Sequence, residues 1–455
     1  MTLASPAALT TSGTTSTSRP NDAALLSLAR HDRTHPPAGS SGPPRLVASV
    51  ARRLAWAAGS GRAEGTIEVT DAGTSRRLGC GEPLARVTLH DQRAYAALLG
   101  SGSVGLGSSY VAGWWDSEDL TVLVRVLSRW ARGLRTPLDN LARGLAPLLD
   151  IPARLRAPRP ADDLRNVRAH YDLSNEFFEL MLDETMTYSC AVFEDPATSL
   201  AEAQRAKIAQ LCTKLELGPG DHLVEIGSGW GAQAIYAAEH HGCRVTTTTI
   251  SEAQRSYVAK RVADAGLSHL VTVLGDDWRE LRGQFDKLVS VEMIEAVDWR
   301  WHDRFLRTCA ALLKQDGLAV VQAIVIDDRS FERAKHHQDF VRRMVFPGGC
   351  IPSVASIVSS LARATDLSVV GLEDIGRHYA QTLHLWAGNL EARAEAVEQL
   401  GVSEQLRRLW ALYLAYCEAS FLERHISDVQ LVLAKPGWRG QLRAREARWH
   451  WPSGY

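Results

Sequence analysis

From Val167 onward, short apolar runs alternate with amphipathic stretches. Leu223–Ile226, Arg244–Ile250, Val271–Gly275, Asp286–Val291 and Leu318–Ile326 read as strands, too continuously apolar to leave one face wet. Helical periodicity predicts helices at Ala232–His240, Glu252–Ala265, Trp301–Leu313 and Ser330–Val345. Two late strands, Leu367–Leu372 and Val429–Ala434, flank a long helical region from Gln381 to Arg424. Strand alternating with helix predicts an α/β domain over residues 166–436, with a mostly parallel sheet covered on both faces. Any ligand of such a sheet belongs at the carboxyl ends of its strands.

Upstream, residues 43–135 pattern as a smaller α+β domain. A basic amphipathic helix at Arg45–Trp56 precedes strands at Gly65–Thr70 and Ala85–Leu89, and an apolar helix spans Leu120–Leu134. Trp114 and Trp115 either close a small core or meet a lipid interface. Residues 1–42, rich in Ser, Thr, Pro, Ala and Gly, read as disordered, and the proline-rich, basic stretch 136–165 reads as a linker. Residues 437–455 form a basic, aromatic tail.

Composition narrows the function classes. A formal net charge of −1 gives no bias towards nucleic acid. The seven cysteines are scattered without a Cys-x-x-Cys pair, which argues against a metal site or disulfide framework and for a reducing compartment. The chain shows no apolar run long enough to span a bilayer and no secretory signal pattern, so the expectation is cytoplasmic.

The strand at 223–226 runs into Gly227-Ser-Gly-Trp-Gly231 and then a helix. Glycines there let backbone approach a ligand, and the helix N-terminus offers free N–H groups. A dinucleotide site would carry an acid about 20 residues further on. This chain offers Thr249, Ser251 and Gln254 instead, which argues against an NAD enzyme. Asp277-Trp278 suits either an adenine site or a strand-end cap.

Five motifs occur in order: His170-Tyr-Asp-Leu-Ser-Asn, Tyr188-Ser-Cys190, Glu225-Ile-Gly-Ser-Gly-Trp-Gly231, Thr249-Ile-Ser-x-x-Gln254 and Phe346-Pro-Gly-Gly-Cys-Ile-Pro352. Together they resemble the cyclopropane-fatty-acyl-phospholipid synthase family, which includes the mycolic acid cyclopropane synthases, over Val167–Pro436. The N-terminal part resembles, more loosely, the smaller domain of full-length bacterial members. The resemblance implies a class I S-adenosylmethionine-dependent methyltransferase, Rossmann-like in fold. Tyr188 and Ser189 would contact the cofactor, and Glu225, Gly227, Ser228, Gly229 and Gly231 would wrap its methionine end. Gln254 with Thr249 would hold the ribose, Ser251 belongs to the same cofactor-binding set, and Asp277 and Trp278 would flank the adenine.

In the implied reaction the sulfonium methyl passes to a cis double bond of a phospholipid acyl chain in the bilayer. The resulting carbocation loses a proton from the new methyl and closes a cyclopropane. Bound bicarbonate is the implied base, cradled by Cys190, Glu295, Gln322 and Tyr379 with backbone near Ile324, and Cys417 matches a cysteine once proposed as a nucleophile. Two departures stand out. Gln322 replaces a histidine of many bacterial members, and Glu292 adds an acid where many have glycine. The rival outcome is a methylene-branched chain for a separate reductase to saturate; a reading from another class is a non-catalytic lipid- or cofactor-binding protein. The implied protein is peripheral on the inner face of the membrane, with a homodimer as the assembly to look for.

Overall fold

The computed structural model describes residues 64–133 and 174–440. The segment 1–42, the helix at 45–56, the linker 136–165, His170 and the tail beyond 440 lie outside the described residues.

Residues 64–133 form an α+β unit around a three-stranded sheet. In β1 (Glu64–Asp71) buried and open positions alternate, as one covered face requires. β2 (Thr74–Leu89) wraps it: Ile67 faces Leu78 on one side and Ala85 on the other. The expected strand at 85–89 is therefore only the second arm of β2. β3 (Trp115–Ser117) pairs with that arm. The glycine-rich stretch between them, left without an element by its pattern, folds as α1 (Arg93–Val111), kinked at Gly102. α2 (Leu120–Gly133) follows. Trp115 closes the core, 3% exposed, with its indole N–H on the Ser109 hydroxyl at 2.9 Å. Trp114 stays half-buried, and the Arg93 guanidinium lies 4.4 Å over its ring.

The larger domain is an α/β fold on one seven-stranded sheet. Its strands are β4 (His222–Ile226), β5 (Arg244–Thr248), β6 (Val271–Leu274), β7 (Phe285–Val291), β8 (Leu313–Ile326), β9 (Ser368–Asp374) and β10 (Ile426–Ala434). Their spatial order is β6-β5-β4-β7-β8-β10-β9. All neighbours are parallel except β10, which runs antiparallel to β8 and β9. Successive residues of β8 point to opposite cores, which explains the unbroken apolar runs. Leu318 and Val320 join the face covered by α4 (Leu200–Lys214), α5 (Ala232–His241) and α6 (Glu252–Asp264). Ala319 and Val321 join the face covered by α7 (His302–Leu312) and a later helix at Val354–Ala364. A short α3 (Asn175–Met181) precedes α4.

Two helical predictions are refined. The stretch 330–345 is not one helix but α8 (Asp328–Ala334) and α9 (Phe340–Met344). Asp339 caps α9 by accepting from the Arg342 N–H, while the Arg342 guanidinium donates to the carbonyls of Ala334, Lys335 and His337. The break thus satisfies carbonyls that a helix end would leave open. The helix at Val354–Ala364 is α10. The region 381–424 divides into α11 (Gly376–Ala392), α12 (Ala394–Gln399) and α13 (Glu404–Leu422). α11 and α13 pack together, and α11 brings the Tyr379 hydroxyl onto Glu292 just past β7.

Candidate active site

Where β4 ends, Gly227, Gly229 and Gly231 all take positive φ. The Gly227 and Ser228 N–H groups donate to the Thr248 carbonyl at the end of β5, tying the turn to its neighbouring strand. Beside it opens a cavity of about 180 Å³. Tyr188, Ser189, Glu225, Gly227, Ser228, Gly229, Thr249, Gln254, Asp277 and Trp278 all line it, so ten of the predicted cofactor residues converge. The other two stand behind the wall. Gly231 caps α5, where a Cβ would meet Val258 at 2.9 Å. Ser251 caps α6 by accepting from the Gln254 N–H.

The wall is held by its own bonds. Thr249 donates to the Gln254 amide oxygen at 2.8 Å, and Arg279 forks the Asp277 carboxylate at 2.8 and 2.7 Å. Trp278 is buried edge-on to Phe305. Burial pushes the Glu225 carboxyl up to about 8, against the Thr247 hydroxyl that donates to it. The periodicity of α4 gave no reason to single out Lys207, yet this lysine lines the cavity. It is 2% exposed and donates to the Ser189 hydroxyl at 2.8 Å. Burial lowers its pKa, while Glu292, Cys190 and Asp428 pull the other way.

Glu292 stands at the floor of the cavity, just past β7, with φ at +50°. Its carboxylate gathers the predicted cradle. The Cys190 N–H and the Gln322 amide donate to Oε1 at 2.8 and 2.9 Å, and the Tyr379 hydroxyl donates to Oε2 at 2.5 Å. Glu295, three residues on, accepts from the Ile324 N–H through Oε1, while Oε2 has no partner among the described residues. Burial and then the nearby Glu292 push the Glu295 carboxyl up to about 8. Gln322 also donates to Asp428 at 2.8 Å and accepts from Gln430 at 3.0 Å. Asp428, on β10, was not foreseen. Burial, Glu292 and Glu295 hold its carboxyl well above the usual range.

The three donors expected to hold bicarbonate are therefore all engaged by a side chain of the protein. Bicarbonate does not fit beside Glu292 in this arrangement. The sequence signal was present, since Glu292 stood out as an extra acid; its reach into the cradle was not legible. The two cysteines differ in place. Cys190 is fully buried, with its thiol pushed well up by burial and by Asp428 and Glu292. Cys417 lies on α13 packed against an apolar cluster, and burial raises its thiol too, which disfavours the thiolate at both positions.

Among the described residues no group of His, Cys, Asp and Glu could hold a metal ion, and no helix is long and apolar enough to cross a membrane.

Comparison with known proteins agrees with this geometry. The family described as mycolic acid cyclopropane synthetase matches residues 159–431. Tuberculostearic acid methyltransferase UfaA1 of Mycobacterium tuberculosis is 37% identical over 373 residues, covering 79% of this chain and 86% of its own. Cyclopropane-fatty-acyl-phospholipid synthase of Escherichia coli is 32% identical over 360 residues, covering 78% and 89%. Among solved structures, the mycolic acid cyclopropane synthase CmaA1, complexed with SAH and CTAB, has a TM-score of 0.56 at 33% identity. That match covers 60% of this chain and 98% of CmaA1. The chain belongs to the mycolic acid cyclopropane synthetase family and is an S-adenosylmethionine-dependent methyltransferase.

Proposed function

We propose that this enzyme methylates the cis double bond of a phospholipid acyl chain and releases a methylene-branched product, with Glu292 as the base. One observation carries the reading: the Glu292 carboxylate takes the donors of Cys190, Gln322 and Tyr379. The wall from Tyr188 to Trp278 would hold S-adenosylmethionine, which when bound would supply an electrophilic methyl. An alkene is a weak nucleophile that no base can activate, so the residues around it contribute alignment and exclusion of water. Ile324, Phe346, Trp386 and Tyr413 belong to the apolar cluster that also holds Tyr379, and they suit an acyl chain.

The alkene π pair would form the new C–CH₃ bond as the S–CH₃ bond breaks and S-adenosylhomocysteine leaves with the S–C pair, which puts a cation on the adjacent carbon. A hydride shift from the methylated carbon produces the more stable tertiary cation. Loss of a proton from the methyl then sends its C–H pair into a vinylidene C=CH₂ on the chain, and Glu292 receives the proton. Burial raises the pKa of Glu292, which suits a base, while the Tyr379 hydroxyl and the Cys190 N–H pull the other way and hold the carboxylate in place. Two relatives whose names specify fatty acid methylation support the same side, UfaA1 and a probable fatty acid methyltransferase of Pseudomonas putida, 35% identical over 340 residues. A reductase acting on alkenes would consume the product.

The second reading is cyclopropane formation, supported by the family description and by the Escherichia coli synthase among the relatives. Proton NMR of acyl chains recovered after reaction with cis-unsaturated phospholipid vesicles separates the two. Vinylidene signals are expected from the native enzyme, and cyclopropyl signals would overturn the proposal. Glu292→Gly, assayed with added bicarbonate, is expected to shift product towards cyclopropane because the freed donors can then hold that anion.

A further inference from the structure

The small N-terminal domain grips α13 at both ends. Near the start of the helix, Arg408 donates to the Tyr110 carbonyl at 2.7 Å, the Trp115 carbonyl at 2.8 Å and the Asp116 carboxylate at 2.7 Å. Its guanidinium also lies 4.0 Å from the Tyr110 ring centroid. Just past the other end, Glu423 accepts from Arg125 and Arg129 of α2, each at 3.0 Å, and its side chain is only 8% exposed. Between them Thr121 donates to Glu418 at 2.9 Å. The two grips are about 22 Å apart along the helix axis at 1.5 Å per residue.

Between those grips α13 carries two aromatic side chains that reach the site. Phe421 stacks on the Tyr379 ring, centroids 4.5 Å apart, and Tyr379 is the residue whose hydroxyl bonds Glu292. The Tyr413 hydroxyl lies 3.0 Å from that of Tyr188, which lines the cofactor cavity. A third contact bypasses α13. Phe340 of α9, fully buried, packs so closely on α1 that a Cβ at Gly107 would lie 2.1 Å from its ring.

We propose that the small domain is a positioning element of the active site, clamping α13 so that Phe421 and Tyr413 hold the Tyr379 and Tyr188 hydroxyls in place. It rests on the reading that Glu292, held by Tyr379, works at the reacting centre. Arg125, Arg129 and Arg408 are then positioning residues that touch neither substrate nor cofactor. A domain that only met the membrane would have no need to hold α13 through a nearly buried carboxylate.

The test uses the full-length enzyme with Arg125→Gln/Arg129→Gln, following S-adenosylhomocysteine release on cis-unsaturated phospholipid vesicles. We expect kcat to fall at least tenfold, with the Kd for S-adenosylmethionine and vesicle co-sedimentation within about twofold of native. Arg125→Lys/Arg129→Lys is expected to recover part of the rate by keeping the charge. Combined with Tyr379→Phe, the Gln pair is expected to add little further loss, because the Glu423 end of the clamp lies beside Phe421 and so acts on the Tyr379 hydroxyl. An unchanged kcat, a raised KM for vesicles with kcat intact, or losses that multiply with Tyr379→Phe would each overturn the proposal. Should the double variant not fold, Glu423→Gln interrogates the same grip from the other side. S-adenosylhomocysteine release counts methyl transfer whatever the product, so a wrong product assignment would surface in the NMR experiment alone.

Discussion

Glu292 and Glu295 are three residues apart and face different demands. Glu292 adopts a left-handed backbone that a non-glycine residue takes only at a cost of about 1–2 kcal/mol. Removing the side chain should separate the backbone cost from the carboxylate's contacts. Glu292→Gly is expected to be more stable than Glu292→Ala by about 1 kcal/mol in urea unfolding, since both lose the carboxylate and only glycine relieves the φ. Equal stabilities would mean that the turn relaxes when the cradle empties. Glu295 has its folded-state pKa raised to about 8 from an ordinary 4.5. The folded state therefore holds a proton that the unfolded state has released between those values, and stability falls as pH rises through that window. Above about 8 both states are ionised and the cost no longer grows. Glu295→Gln keeps an acceptor for the Ile324 N–H and cannot ionise. Its stability relative to native is expected to climb by up to about 1.4 kcal/mol per pH unit between pH 5 and 8, read from thermal melts across pH. A flat difference would place the raised carboxyl elsewhere, on Glu225 or Asp428.

At the scale of elements, the glycine turn and α6 depend on each other. Gly231 has φ +90°, and a Cβ there would press on both Val258 methyls, at 2.9 and 3.3 Å. Gly231→Ala is expected to cost about 2–3 kcal/mol in denaturant unfolding and to weaken S-adenosylmethionine binding, because the strained turn carries the cavity wall. Unchanged cofactor affinity in the variant would detach the turn from the site. Much of this level was legible in the sequence. β4 to β8 were readable because strands covered on both faces leave unbroken apolar runs, and Gly227, Thr249 and Asp277 were readable as ligand-facing positions because they follow the ends of β4, β5 and β6. What escaped the pattern depended on partners distant in the chain. The break between α8 and α9 follows from the Arg342 side chain, not from any proline or glycine. Lys207 turns inward because Ser189 receives it. Asp428 and Glu292 meet only because β10 inserts antiparallel beside β8, which placed them together across 136 residues of sequence.

At the scale of the whole molecule, the two domains share an apolar core yet do not share a sheet. The clusters on the two faces of the seven-stranded sheet draw on residues from Ile208 to Ala434 and on none of the small domain. A third cluster runs across the boundary, joining Trp115, Leu123 and Val126 to Phe340, Trp410 and Tyr413. CmaA1 is matched over 98% of its length by only 60% of this chain, so a catalytic domain of this architecture stands there without an equivalent of the remainder. In the present enzyme the same cut would uncover Phe340 and the flank of α13. A fragment beginning at residue 166 is therefore expected to keep native-like far-UV dichroism and to bind S-adenosylmethionine, because both sheet faces remain covered. It should also bind a hydrophobic dye and self-associate in size-exclusion chromatography, because the shared cluster is opened to water. A monomeric, dye-silent fragment would mean that α13 and α9 close over the exposed surface on their own. Loss of cofactor binding would mean instead that the sheet itself needs the small domain, a dependence that the separate face clusters argue against.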